Sequence, residues 1–91
     1  MIIVSYDISD NKIRAKFSKF LLEYGDRVQY SVYEIVNSER VLNLVIAEIN
    51  HAFKDSFTGS DSVIIFRFSE RDILRFGNAK HRESDLLILG S

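Results

Sequence analysis

The first 25 residues change their hydrophobic period once, and this change constrains the fold more than any other feature. Residues 2 to 6 (IIVSY) are β-branched and aromatic, and they predict a central strand. The next apolar residues have helical spacing: Ile13, Phe17, Phe20, Leu21 and Tyr24. Ser9 and Asp10 are candidate N-caps, and Gly25 is expected to end the helix. The chain therefore begins with a strand followed by a helix.

The middle of the chain predicts a strand or hairpin and a second helix. Residues 27 to 36 (RVQYSVYEIV) alternate in polarity, as in a long strand that is bulged or split into a hairpin. Residues 38 to 53 return to helical spacing, with Ser38 as the expected cap.

The last third predicts two further strands. A turn (TGSDS, 58 to 62) precedes the strand VIIFRF at 63 to 68. Ser69 and Asp72 fit a capping box for a short helix, which the Gly77-Asn78 pair would end. The run LLIL at 86 to 89 predicts a final short strand.

The order of elements predicts an α+β, ferredoxin-like βαββαβ fold, with an antiparallel sheet and both helices on one face. With 91 residues, the chain is expected to form one domain over residues 1–91. The strand at 86 to 89 is additional to this unit, so it would join its own sheet or that of a second copy. A chain this short gains more core from the second arrangement, which favours a homodimer.

Composition excludes several classes of function. The chain has no cysteine, so disulfides, thiolate metal sites and cysteine nucleophiles are excluded. No apolar run reaches the roughly 20 residues that span a bilayer, and the first run is too short for a signal-peptide core. We therefore expect a cytoplasmic protein with no membrane partner. The net charge of −1 means that any nucleic-acid site must depend on local charge.

Asp7 is a lone carboxylate at the end of the predicted central strand. One interpretation is a partner for the following helix N-terminus. The other is a ligand position, because Mg²⁺ is usually held by one or two carboxylates with water and phosphate oxygens. A second copy of Asp7 across a dimer axis would supply the second carboxylate.

A row of basic residues follows on the first helix. Lys12, Lys16 and Lys19 are spaced i, i+4 and i+7, with Arg14 to one side. The row is either a solvated helix face or a surface for phosphate contacts. Aromatic residues of the strands (Tyr30, Tyr33 and Phe66) would stack on bases or, as is usual in strands, pack in the core.

Residues 4 to 34 (VSYDISDNKIRAKFSKFLLEYGDRVQYSVYE) resemble the CRISPR-associated protein two family, the small partner in CRISPR spacer acquisition. The most specific parts are Tyr6-Asp7-Ile8, the basic helix ending in Leu22-Glu23-Tyr24-Gly25, and the segment from Arg27 to Glu34. Tyr33 stands where many members have phenylalanine.

The resemblance implies a homodimer whose C-terminal strands pair across the interface and which bridges two dimers of a larger CRISPR integrase subunit on double-stranded DNA. The predicted nucleic-acid contacts are Lys12, Arg14, Lys16, Lys19 and Arg27. The resemblance also implies an alternative function, a Mg²⁺-dependent endonuclease on RNA or double-stranded DNA, in which Asp7 is the catalytic and metal residue. A toxin-type ribonuclease of the same fold is a related alternative.

Overall fold

The computed structural model describes residues 1–77, which form a four-stranded antiparallel sheet and two helices. The elements are β1 (Ile2–Asp7), α1 (Asn11–Leu22), β2 (Gly25–Gln29), β3 (Val32–Ile35), α2 (Glu39–Glu48) and β4 (Ser62–Arg67). The strand order is β2-β3-β1-β4, which places β1 in the interior of the sheet. This confirms the predicted α+β, ferredoxin-like arrangement. The strand predicted at 86 to 89 lies outside the described residues.

The core lies between one face of the sheet and both helices. Alternate residues of β1 point into it, and Val4 is completely buried. Phe17 of α1 is also completely buried, and its ring centroid lies 5.0 Å from the rings of both Tyr6 and Phe53. Edge-on ring contacts of this kind add to the stabilisation from buried apolar area. These side chains belong to one hydrophobic cluster within residues 1–77, which explains why both helices lie on the same face.

Polar side chains cap both helices. Asp10 accepts a hydrogen bond from the backbone N–H of Ile13, at 2.9 Å, and Ser38 accepts one from that of Val41. The helical chain continues beyond α2 as a π-helical segment, Ile49–Phe53, which brings Phe53 into the core. The predicted helix at 38 to 53 is therefore present, with a wider last turn.

The predicted strand at 27 to 36 is a hairpin. Strands β2 and β3 pair in register from Gly25 opposite Ile35, with a bulge between Arg27 and Gln29. Tyr30 and Ser31 form the turn between the strands, and Ser31 adopts a positive φ of 62°.

Two local predictions were wrong. Gly25 does not end α1; it begins β2 and lies so close to β3 that a Cβ atom there would be 2.0 Å from the carbonyl oxygen of Glu34. Glycine is required at this position for close backbone approach. The predicted capping box at Ser69 is not formed, because Glu70–Asp72 is a single 3₁₀ turn without a side-chain cap.

The sheet face opposite the helices, called the open sheet face, is partly covered by residues 73 to 75. This segment forms a groove with Met1 and Ile3 of the N-terminal strand and with Val32 of β3. Exposed apolar side chains remain on β4 and in the following segment: Ile64, Phe66, Leu74 and Phe76. No helix within residues 1–77 is long and apolar enough to cross a lipid bilayer.

Candidate nucleic-acid and metal site

Asp7 lies at the end of β1, opposite Ser62 of β4. The alternation along β1 places its side chain on the open sheet face, because Tyr6 points into the core. Asp7 is exposed, and its carboxylate makes no hydrogen bond or ion pair within residues 1–77. Since Asp10 is the cap of α1, the carboxylate of Asp7 is not used for capping. The structure thus leaves it open to solvent.

The loop after Asp7 is held by hydrogen bonds from both sides. Asp61, in the turn before β4, accepts bonds from the backbone N–H and hydroxyl of Ser9 and from the backbone N–H of Thr58. The N–H groups of Thr58 and Ser9 hold the pKa of the Asp61 carboxyl below its ordinary value of 3.8. Ser9, a predicted cap, therefore bonds to a different element.

Sequence reasoning missed Asp61. The relevant signal was an aspartate three residues after Thr58 in a turn, since such side chains often accept hydrogen bonds from nearby backbone N–H groups. The bond to Ser9, 52 residues away, has no such local signal.

The predicted basic row is present on α1. We use this name for Lys12, Lys16 and Lys19, which are all exposed. None of them forms an ion pair within the described residues. An ion pair in this part of the chain joins Arg67 to Glu39, outside the basic row. Three charges without acidic partners on one helix face favour contact with phosphate over a network of surface ion pairs.

Arg14 has a different environment from the basic row. It is half-buried and donates hydrogen bonds to the carbonyl oxygens of Ile8, at 3.0 Å, and Ser9, at 3.4 Å, and to the side-chain oxygen of Asn11. Its guanidinium group thus helps to fix the loop between β1 and α1. Arg14 also lines a cleft.

This cleft, called the hairpin cleft, separates α1 from the β2-β3 hairpin and has a volume of about 200 Å³. Its lining comprises Tyr6, Asn11, Arg14, Ala15, Ser18, Arg27, Tyr30, Ser31 and Tyr33. The described lining includes two arginines and no carboxylate. Its side chains on α1 lie about 100° around the helix axis from the basic row, so the two surfaces are adjacent.

Three residues with hydroxyl groups, Tyr6, Ser18 and Tyr33, line the hairpin cleft. The rings of Tyr6 and Tyr33 stack with a centroid distance of 6.0 Å, and the hydroxyls of Ser18 and Tyr33 are hydrogen-bonded. Burial raises the pKa of Tyr6 above its ordinary value of 10.0. The phenol is therefore a neutral hydrogen-bonding group at physiological pH.

The sequence left two interpretations of the strand aromatic residues, packing in the core or stacking on bases, and the structure divides the residues between buried and exposed positions. Tyr33 is buried, with 1% of its surface exposed, and belongs to the core. Tyr30 is 73% exposed and Phe66 is 45% exposed, so the core interpretation was wrong for these two residues. The structure thus brings Tyr30 together with Arg14 and Arg27, whereas Asp7 lies on the other face of the sheet.

The described residues do not form a closed metal site by themselves. No group of three His, Cys, Asp or Glu residues that could hold a metal ion is found in the part of the chain that the structure describes. The exposed carboxylate of Asp7 fits a Mg²⁺ ion whose other ligands are water and phosphate oxygens, because that ion accepts one or two protein carboxylates. It does not fit an ion enclosed by protein ligands from a single chain.

The sheet order, the two helices on one face and the exposed strand-end aspartate define a small ferredoxin-like protein with a basic first helix. The sequence profile described as CRISPR associated protein Cas2 matches residues 1–75. The chain therefore belongs to the Cas2 family, as its resemblance predicted.

Individual relatives agree with this assignment. The chain is 32% identical over 74 residues to the CRISPR-associated endoribonuclease Cas2 3 of Synechocystis sp., a match that covers 81% of this chain and 65% of that protein. It is 33% identical over 70 residues to the CRISPR-associated endoribonuclease Cas2 2 of Methanospirillum hungatei. This match covers 77% of this chain and 74% of that protein. The first curated relatives are matched over less than two thirds of their own length.

A solved structure supports the fold. Streptococcus pyogenes Cas2, crystallised at pH 6.5, aligns with a TM-score of 0.66 over 84% of this chain and 98% of that chain. The sequence identity of 20% limits this likeness to the fold.

Proposed function

We propose that the protein is a CRISPR adaptation subunit that binds duplex DNA without sequence preference and, as a homodimer, bridges two dimers of a larger integrase subunit. The observation that carries the proposal is the basic row: three exposed lysines on one helix, without an ion pair among the described residues. Lysine contacts to phosphate give affinity without reading base sequence. Membership of the Cas2 family supports a role in spacer acquisition.

The homodimer is supported by the open sheet face. Ile64 and Phe66 expose about half of their surface there, and Leu74 exposes 83%. Apolar side chains grouped on one sheet face are typical of an interface. A second copy of the chain would cover them and bring a second Asp7 to the assembly.

Charge reversal of the basic row tests DNA binding. We expect Lys16→Glu with Lys19→Glu to weaken binding to blunt duplexes of any sequence and to lower the dependence of log Kd on log salt by roughly two. Lys54→Glu is the matched control, because Lys54 is an exposed lysine outside the row. Equal affinity and salt dependence in wild type and the double variant would contradict the proposal. Recovery of the protein without any larger integrase subunit, under conditions that preserve CRISPR complexes, would contradict bridging.

Asp7 favours a second candidate function, that of a Mg²⁺-dependent endonuclease on RNA or double-stranded DNA. The supporting observation is the exposed carboxylate at the end of β1, which has no partner within residues 1–77. The Synechocystis and Methanospirillum relatives carry the name endoribonuclease. A bound Mg²⁺ ion would polarise a phosphodiester and activate water, and Asp7 would hold the ion.

Asp7→Ala separates the two functions. If the adaptation role depends on DNA binding and dimer geometry, spacer integration persists in this variant while Mg²⁺-dependent cleavage is lost. Loss of both activities by a folded variant would contradict the bridging proposal.

A further inference from the structure

Tyr30 is the most exposed aromatic ring on the hairpin and lies at its tip. Its exposed fraction is 73%, compared with 1% for Tyr33 only three residues later. It also lines the hairpin cleft, as do Arg27 and Arg14. An exposed phenol ring next to cationic side chains is the combination with which proteins bind single-stranded nucleic acids.

The backbone holds Tyr30 firmly. Gln29 pairs with Val32 on one side of the turn, and the carbonyl oxygen of Ser31 accepts a hydrogen bond from the backbone N–H of Tyr6, at 3.1 Å. The tip is therefore anchored both to its own hairpin and to the interior strand β1. A ring on an anchored turn loses less conformational freedom when a ligand stacks on it.

The charge of the hairpin cleft selects an anionic ligand. Arg27 is exposed, and its side chain makes no hydrogen bond or ion pair within the described residues. The described lining has no carboxylate. The volume of about 200 Å³ is below the roughly 300 Å³ at which small-molecule pockets begin. The cleft therefore suits one unit of a polymer better than a free cofactor.

We propose that Tyr30 and the hairpin cleft bind one unpaired nucleotide at the single-stranded end of a nucleic acid, with the base stacked on Tyr30 and its phosphate paired with Arg27. The ring cannot stack on a base inside a duplex, because both faces of that base are already covered by its neighbours. This proposal rests on the proposed nucleic-acid binding and adds a preference for frayed or overhanging ends. The adjacent basic row would hold the duplex portion of the same molecule.

The test compares a blunt DNA duplex with the same duplex extended by a short overhang that carries 2-aminopurine. We expect wild-type protein to quench the fluorescence of 2-aminopurine and to bind the overhang duplex more tightly than the blunt one. Tyr30→Ala should weaken binding to the overhang duplex roughly tenfold, abolish the quenching and leave binding to the blunt duplex unchanged. Tyr30→Phe should behave as wild type, because the stacking surface is retained.

The stacking proposal and the duplex-binding proposal can fail separately. Absence of quenching by wild-type protein, or an equal loss of affinity for both probes in Tyr30→Ala, would overturn the stacking proposal. If charge reversal at Lys16 and Lys19 leaves blunt-duplex binding unchanged, the proposed duplex function fails. The quenching of the overhang probe then still decides whether Tyr30 stacks on a base. Thermal unfolding of Tyr30→Ala at the wild-type temperature would show that the exposed substitution leaves the fold intact.

Discussion

The carboxylate of Asp61 accepts hydrogen bonds from the backbone N–H and the hydroxyl of Ser9, at 2.9 and 3.0 Å, although 52 residues separate the two in sequence. Its second oxygen accepts a bond from the backbone N–H of Thr58. One side chain thus joins the loop that follows Asp7 to the turn that precedes β4. Because Asp7 and Ser62 are opposite each other in the sheet, this link closes the end of the β1-β4 pair.

We expect Asp61→Ala to lower the midpoint of urea unfolding, because the N–H groups of Ser9 and Thr58 lose a charged acceptor. Asp61→Asn should be intermediate, since the amide keeps only one accepting oxygen. Asp55→Ala is the matched control, because Asp55 is exposed and its side chain makes no hydrogen bond or ion pair within residues 1–77. Equal midpoints for Asp61→Ala and Asp55→Ala would show that the link does not stabilise the fold.

The same link predicts a pH dependence. The pKa of Asp61 is lowered from 3.8 in the folded protein, so folding favours the carboxylate form. The contribution of Asp61 is fully present above the unfolded value and is lost as the pH falls through the lower folded pKa. The difference in unfolding midpoint between wild type and Asp61→Ala should therefore be constant near neutral pH and shrink below pH 3.8. A difference that grows on acidification would have the wrong sign.

Gly25 provides a test of the β2-β3 pairing. A methyl group at this position would lie 2.0 Å from the carbonyl oxygen of Glu34 and 2.6 Å from the Cα of Ile35, so backbone atoms would have to move. We expect Gly25→Ala to lower the free energy of unfolding by about 1–3 kcal/mol, measured by urea denaturation. Gly59→Ala should leave the free energy of unfolding unchanged, because a Cβ atom at this position meets no atom within 4 Å.

The hydroxyl of Tyr33 provides a test of the contact between α1 and β3. It bonds to the hydroxyl of Ser18 in a partly buried position, and its removal should cost about 1 kcal/mol of unfolding free energy. Tyr30→Phe should leave the free energy of unfolding unchanged, because the hydroxyl of Tyr30 lies at the exposed tip of the hairpin. A double-mutant cycle of Tyr33→Phe with Ser18→Ala isolates the pair, and a coupling energy of zero would contradict a stabilising bond.

The sequence predicted the elements whose signal is local. The helical spacing of Ile13 and Phe17 and the alternation around Tyr33 reflect burial on one face, and burial is what the structure shows. Gly25 was misread because a close approach to Glu34 depends on strand pairing rather than on the residues near the glycine. Asp61 was missed for a similar reason, since its bond to Ser9 joins two distant parts of the chain. The core interpretation of Tyr30 was wrong because this residue lies in the turn of the hairpin rather than within a strand. At the candidate site, the residue types were predictable, but their division between two faces of the sheet was not.

Asp7 gives the last prediction, which concerns the metal and needs no nuclease assay. Because its carboxylate has no partner within residues 1–77, Asp7→Asn should unfold at the wild-type temperature without metal. If Asp7 holds Mg²⁺, the ion should raise the unfolding temperature of wild type, with a stabilisation of about 2.7 kcal/mol at a hundredfold excess over Kd. The effect should be absent in Asp7→Asn, reversed by a chelator, and retained in Asp55→Asn, which removes the same charge elsewhere. An equal response to Mg²⁺ in Asp7→Asn and wild type would exclude Asp7 as the ligand, and the endonuclease function proposed for this site would fail with it.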